Sequence, residues 1–348
     1  PLKDPTRSRK IMKIPGTIGV NEYESEQFKG NSGMRFGQIK LFCGSASQEL
    51  GAEIGAHLEI RPGAYERTIF SNENIFLRLQ ESVRGQDVYL VQTMSSPVHD
   101  NFMEMLIMID ALKRDSAWRI NVVVPYLSYG RSDKKDQPRV PISARLVANM
   151  IEAAGADRYI TIDLHAGQIQ GFFNIPGDAL TAFHLLSDYI KGKRIPDLTV
   201  VSTDLGYAKQ ARNWGERLDV PVALVEKRRV DNKERPEVMS IIGTVEGRNV
   251  LLVDDEVNTA GSVMNAVDVL RDNGAQDIYL AFTHGFLSAK AYERLAALDL
   301  KEVIMTNTLP QKKELLLPNM TVLSVAPMLA EVIKRAHEGR SVGELFDE

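Results

Sequence analysis

Asn249-Val250-Leu251-Leu252-Val253-Asp254-Asp255-Glu256-Val257-Asn258-Thr259-Ala260-Gly261-Ser262-Val263 is the stretch on which the fold turns. A short apolar run, Asn249–Val253, reads as a buried parallel strand and stops on two adjacent carboxylates. A small, polar, Gly-containing turn follows, then a helical pattern through Met264, Ala266, Val267 and Leu270. Open α/β sheets place their ligands at the carboxyl ends of such strands. The turn offers backbone N–H groups, the hydroxyls of Thr259 and Ser262 and a helix N-terminus, all suited to a phosphate. The carboxylates beside it suit ribose hydroxyls or, through water, a magnesium ion. Spacing alone is equally compatible with a strand that ends in a solvated Asp-Asp turn.

Outward from this stretch the same alternation recurs. Strand patterns at Ile39–Cys43, Tyr65–Phe70, Ile75–Leu79, Asp87–Gln92, Ile120–Pro125 and Tyr159–Asp163 are accompanied by helical patterns at Gln48–Leu58, Asp100–Arg114 and Ser143–Ala154. A second series has strands at Leu198–Ser202, Val222–Val225, Asn249–Val253, Asp277–Phe282, Val303–Thr306 and Thr321–Ser324. Its helices are at Leu205–Leu218, Gly261–Asn273, Ser288–Leu298 and Ala326–His337. Such alternation means mostly parallel sheets flanked by helices, in two similar α/β units. With 348 residues, two domains are the natural expectation. We expect an extension over residues 1–37, domains over 38–180 and 181–325, and a C-terminal helix, 326–348, that packs back on the first domain. No low-complexity linker separates the halves, so a cleft between them is expected.

A net charge of −4 argues against nucleic acid as the main partner, whereas a small anion needs only a local cluster of cations. Cys43 is the only cysteine, which excludes an intrachain disulfide and makes it a small buried hydrophobe. No apolar run reaches membrane-spanning length and no signal-peptide pattern opens the chain, so a cytoplasmic enzyme is the expectation.

Four further segments carry chemistry. Asp163-Leu164-His165 ends a strand, with two polar side chains expected on one side of an extended backbone; a locally satisfied histidine is the plain alternative. Ser202-Thr203-Asp204 repeats the theme, and an N-cap explains it equally well. Arg131, Lys134, Lys135 and Arg139 make the loop after Val122–Pro125 dense in cations, either to steer a polyphosphate or simply as a solvated loop. Glu226–Pro236 reads as an exposed charged loop, of the kind that closes Lys and Arg over reacting phosphates.

Together these segments, with Ser95–Met105, Asp110–Arg114, Pro141–Asn149, Asp163–Phe173, Lys227–Arg229 and Val253–Asp255 with Thr259–Gly261, resemble the ribose-phosphate diphosphokinase (5-phosphoribosyl 1-diphosphate synthetase) family from about Lys40 onward. The resemblance implies two phosphoribosyltransferase-like (type I) domains and transfer of the diphosphate of MgATP to O1 of ribose 5-phosphate. It implies that Asp254, Asp255, Asn258, Thr259, Ala260, Gly261 and Ser262 hold ribose 5-phosphate. His165, Asp204, Asp163 and Asp178 match magnesium positions, and His165 also belongs to the ATP site. Phe70, Ser71 and Asn72, reaching across a dimer interface, and Arg131, Ser132 and Asp133 match ATP-contacting segments. Lys227 and Arg229 match the catalytic pair. Dimers that stack into hexamers are implied too.

Three places depart from the family's pattern. Asn258 and Ser262 stand in a loop that usually reads Asp-Asp-x-x-Asp-Thr-(Gly/Ala)-Gly-Thr. Phe70-Ser71-Asn72-Glu73-Asn74 replaces Phe-Ser-Asp-Gly-Glu, and Arg131-Ser132-Asp133 replaces Arg-Gln-Asp. Changes on the ATP side with the catalytic pair retained point to an altered nucleotide pocket in an active enzyme. The alternatives are a non-catalytic subunit that regulates a paralogous synthetase, and a phosphoribosyltransferase consuming the product.

Overall fold

The computed structural model describes residues 37–203, 205–228 and 238–345. The first series of elements is β1 (Ile39–Cys43), α1 (Gln48–Leu58), β2 (Tyr65–Ile69), β3 (Ile75–Leu79), β4 (Asp87–Val91), α2 (Val98–Arg114), β5 (Arg119–Val124), α3 (Ser143–Ala154), β6 (Arg158–Ile162) and β7 (Gly177–Leu180). A parallel sheet runs β1-β4-β5-β6-β7, while β2 and β3 form a separate antiparallel hairpin. The second series is α4 (Phe183–Lys193), β8 (Leu198–Ser202), α5 (Ala208–Leu218), β9 (Val222–Arg228), β10 (Val238–Ile242), β11 (Asn249–Val257), α6 (Gly261–Asp272), β12 (Ile278–Gly285), α7 (Ala289–Ala297), β13 (Glu302–Thr306), β14 (Met320–Leu323) and α8 (Ala326–Glu338). Its sheet runs β10-β9-β8-β11-β12-β13-β14, parallel except for β10.

Side chains that alternate along a strand face opposite sides of its sheet. In the first sheet Leu41, Cys43, Tyr89 and Val91 face one core while Phe42, Val88 and Leu90 face another, against α2 and α3. In the second, Leu251 and Val253 join the first of these cores while Val250 and Leu252 pack under α6 and α7. The shared core therefore lies between the sheets and includes Leu186 and Ile190 of α4, Trp214 of α5 and Leu329 and Ile333 of α8. Helix α8 packs along α1, and at its end His337 Nδ1 lies 2.8 Å from the buried Asp87.

The structure alters three sequence expectations. β11 runs to Val257, so the Asp-Asp pair lies inside a strand: β12 is also longer than its apolar run and stays paired with β11 as far as Gly285. β9 continues through Glu226, Lys227 and Arg228, because β10 supplies partners for them; the expected loop therefore begins later. The boundary expected between residues 180 and 181 falls just after β7, a strand absent from the expected series, and just before α4.

Candidate functional site

In the second sheet the strand order reverses between β8 and β11: from β8 the chain builds outward to β9 and β10, and from β11 the other way. A reversal opens a crevice beyond the carboxyl ends of the two strands. The crevice is visible in the register. β8 accompanies β11 only to Ser202 opposite Val253, and beyond that point, among the described strands, Asp254, Asp255 and Glu256 have β12 alone as a neighbour. Thr203 bridges the opening, its hydroxyl donating to Asp254 Oδ2 at 2.7 Å.

The turn after β11 ends in Ala260, whose φ of 55° is left-handed. An Ala in that region is strained, and such strain persists only where the surroundings over-determine it. Here the two backbone carbonyls before it are pinned: Asn258 O accepts from Ser288 N–H at 3.1 Å, and Thr259 O accepts from Arg294 Nη1 at 2.7 Å. The result is an α6 N-terminus with no side-chain cap, aimed along the turn. Thr259, Ala260, Gly261 and Ser262 line a cavity of about 310 Å³ together with Asn258, Arg131, His165, Thr203 and Asp254 to Glu256.

Two more cavities, of about 640 and 250 Å³, adjoin this one, and Asp255 and His165 line all three. His165 Nδ1 lies 3.0 Å from Asp255 Oδ2, joining the two sheets. That hydrogen bond raises the imidazole above its ordinary range. Burial would push Asp255 up, but the hydrogen bonds from His165 and Asp254 outweigh it and hold Asp255 low. Asp254 has the opposite fate. Burial first, and then the charge of Asp255, push it up to about 8. Two neighbouring carboxyls are thus driven apart, one ionised and one retaining its proton near neutrality.

The other sequence-singled residues divide. Asp163 takes φ 40°, so its backbone is not extended, and it lines the 640 and 250 Å³ cavities together with His165. Its Oδ2 accepts from Ala182 N–H at 3.0 Å and from Thr283 Oγ1 at 2.6 Å. Asp178 sits at the far end of β7, bound by Arg158, and is not brought to the cleft. Arg131 reaches the cleft, whereas Ser132 Oγ accepts from the Ser143 N–H at the start of α3 and Asp133 is buried against Gln168. Phe70, Ser71 and Asn72 occupy the exposed tip of the β2–β3 hairpin and line none of these cavities. Lys227 lies on β9 opposite Met239; Asp204 and Arg229 fall outside the described residues.

Sequence reasoning passed over Tyr126, Glu256, Thr283 and His284. Tyr126 donates to Glu256 at 3.1 Å, and the buried His284 places Nε2 3.1 Å from the carbonyls of Ile162 and Asp163. Since carbonyls only accept, Nε2 carries the proton. The signal for the last pair was Thr283-His284-Gly285, polar residues at the end of an apolar strand.

Fold and site define the class: an α/β protein of two mostly parallel sheets, phosphoribosyltransferase-like, with a phosphate-type turn at the switch point of the second. Residues 39–155 match the N-terminal domain of ribose phosphate pyrophosphokinase, and residues 226–347 match the phosphoribosyl synthetase-associated domain. The chain is 45% identical to ribose-phosphate pyrophosphokinase of Campylobacter jejuni over 307 residues (88% of this chain, 98% of that one), and 47% identical to that of Caldanaerobacter subterraneus over 309 (88% and 98%). The crystal structure of phosphoribosylpyrophosphate synthetase from Mycobacterium smegmatis superposes with a TM-score of 0.82 at 43% identity, covering 87% of this chain and 99% of that one. The chain belongs to the ribose-phosphate pyrophosphokinase family. No described helix is long and apolar enough to cross a membrane.

Proposed function

We propose that the chain transfers the β,γ-diphosphate of MgATP to O1 of ribose 5-phosphate. O1 attacks the β-phosphorus, the bond from that phosphorus to the oxygen bridging the α-phosphate breaks, and AMP leaves. The observation that carries this reading is the meeting, at the switch-point crevice, of an uncapped α6 N-terminus and the Asp254–Asp255 pair with Arg131 and His165 from the other sheet.

In this reading the 5-phosphate lies in the Asn258–Ser262 turn, where N–H groups and the helix dipole favour an anion. Asp254 and Asp255 accept the ribose hydroxyls, and Arg131 faces the polyphosphate. Lys227 and Arg229 supply further positive charge to the transferring group. In-line displacement at phosphorus asks the protein chiefly for positioning and charge neutralisation. Magnesium, when bound, supplies part of that neutralisation. Among the described residues no three His, Cys, Asp or Glu side chains converge as a metal cage, which fits an ion that characteristically takes one or two carboxylates and completes its shell with phosphate and water. Asp255 and His165, open to all three cavities, are the donors that fit. Asp163, which lines two of the three cavities, has one carboxylate oxygen tied to Ala182 and Thr283 and keeps the other as a further donor, whereas Asp178 is tied to Arg158.

Assembly belongs to the same proposal. The β2–β3 tip carries Phe70 and, on adjoining strands, Ile69 and Phe76, all exposed and away from their own chain's cleft. A second copy is the partner whose ATP site they would complete. The test is direct: purified protein with ATP, ribose 5-phosphate and magnesium forms AMP and 5-phosphoribosyl 1-diphosphate in equal amounts, and folded, assembled protein that forms neither overturns the reading.

A further inference from the structure

Glu256 is the third carboxylate at the end of β11, and the proposed chemistry leaves it without a task. Its side chain is 6% exposed, yet both its oxygens face residues of the other sheet's half. Oε2 accepts from the Tyr126 hydroxyl at 3.1 Å, and Oε1 lies 3.4 Å from Arg131 Nη2. These two partners differ. Tyr126 is anchored, its backbone N–H donating to Thr93 Oγ1 at 3.3 Å and its ring meeting His284 edge-on at 4.9 Å. Arg131 is 58% exposed at the rim of the cleft, on a side chain long enough to turn elsewhere.

A buried carboxylate needs a hydrogen-bond donor and a counter-ion. Glu256 takes the first from a fixed group and the second from a movable one. If Arg131 leaves, Tyr126 still holds the carboxylate, so the departure is affordable. A polyphosphate arriving at Arg131 meets a guanidinium already neutralised from the opposite sheet and must displace or share that partner.

We propose that Glu256 is an internal counter-anion for Arg131, competing with the triphosphate of ATP and thereby setting the affinity for the nucleotide. It is a positioning residue, acting through Arg131. The inference rests on the reading of Arg131 as an ATP contact.

Glu256→Gln keeps an acceptor for Tyr126 and removes the charge. It lowers the KM for MgATP about fivefold, while the KM for ribose 5-phosphate moves by less than about twofold. Glu256→Asp, whose carboxylate is drawn back one methylene from Arg131, moves the KM for MgATP in the same direction by less, and it carries the test if the glutamine variant does not fold. Arg131→Gln raises the KM for MgATP, and in that background Glu256→Gln has no further effect. If Arg131→Gln leaves the KM for MgATP unchanged, the ATP reading of Arg131 fails and this inference with it. If Arg131→Gln raises it but the Glu256 variants do not lower it, the counter-anion role alone is overturned. An equal drop in both Arg131 backgrounds overturns it too, because the effect then bypasses Arg131.

Discussion

Asp254 illustrates what a single residue trades at this site. Its carboxyl is buried beside Asp255 and pushed up to about 8 from an ordinary value of 3.8. The folded chain therefore holds a proton on Asp254 that the unfolded chain releases across that interval. Stability follows the difference in bound protons, so this contribution is full below pH 3.8 and is lost as the pH rises to about 8. His165, raised by Asp255, has the same sign: its contribution is full below the ordinary imidazole value of 6.5 and is lost as the pH rises through its raised folded value. Asp255, held low, contributes the opposite dependence at the acid end, losing its stabilisation as the pH falls through its lowered value. Asp254→Asn removes the first term. The variant is expected to melt above the parent by about 3 °C or more at pH 8, with the gap closing toward pH 4, while the KM for ribose 5-phosphate rises. Melting curves at both pH values check it, and parallel curves for parent and variant would falsify the assignment. The pairing itself was only half legible in the sequence. Two adjacent carboxylates announced a site, but which one keeps its proton depends on Thr203, His165 and burial, contacts made by residues 51 and 90 positions away.

Among the elements, those that announced themselves were the ones whose apolar period is uninterrupted, such as α2, α3 and α6. The missed ones have physical reasons. β7 is short and holds a single fully buried residue, Leu180, so its alternation has no length in which to show. The last residues of β11 and β12 are polar because they line the cleft, and polarity at a strand end reads as a turn. β9 runs on through charged residues because β10 pairs with it, a tertiary cause invisible to local pattern. Helix α8 was recognised as a helix, but its anchor was not. Asp87, fully buried at the start of β4, accepts two hydrogen bonds from Arg119 at 2.7 and 2.6 Å and one from Asn121 at 2.8 Å, and meets His337 of α8. Removing a buried carboxylate strands its donors. Asp87→Ala is expected to cost about 3–5 kcal/mol of stability, read as a lowered urea midpoint. A midpoint within error of the parent would show that the cluster is dispensable for holding α8.

For the whole molecule the question is whether two α/β units behave as two domains. Composition and pattern predicted two, and the topology contains two sheets. The apolar groups of Leu41, Tyr89, Leu251, Val253, Trp214, Leu329 and Ile333 nevertheless belong to one continuous core between them. Polar bonds cross at the site as well, from Thr283 to Asp163, from His284 to the carbonyls of Ile162 and Asp163, and from His165 to Asp255. Neither sheet can lose its partner without exposing that core, and burial of each large apolar side chain stabilises by about 1.5–3 kcal/mol. Separate unfolding of one half would therefore cost many such side chains at once. The expected outcome is a single cooperative transition, unusual for a chain of 348 residues. Two probes report on it independently. Trp214 is 2% exposed in the shared core, whereas Trp118 is 64% exposed, so the shift in tryptophan emission on unfolding follows Trp214 and with it the core between the sheets. Far-ultraviolet circular dichroism follows both sheets and all the helices. In a Trp118→Phe background the two midpoints in urea should coincide. A dichroism transition that splits, with emission changing in only one of its steps, would mean that the halves fold separately and that the cleft between them opens without global unfolding.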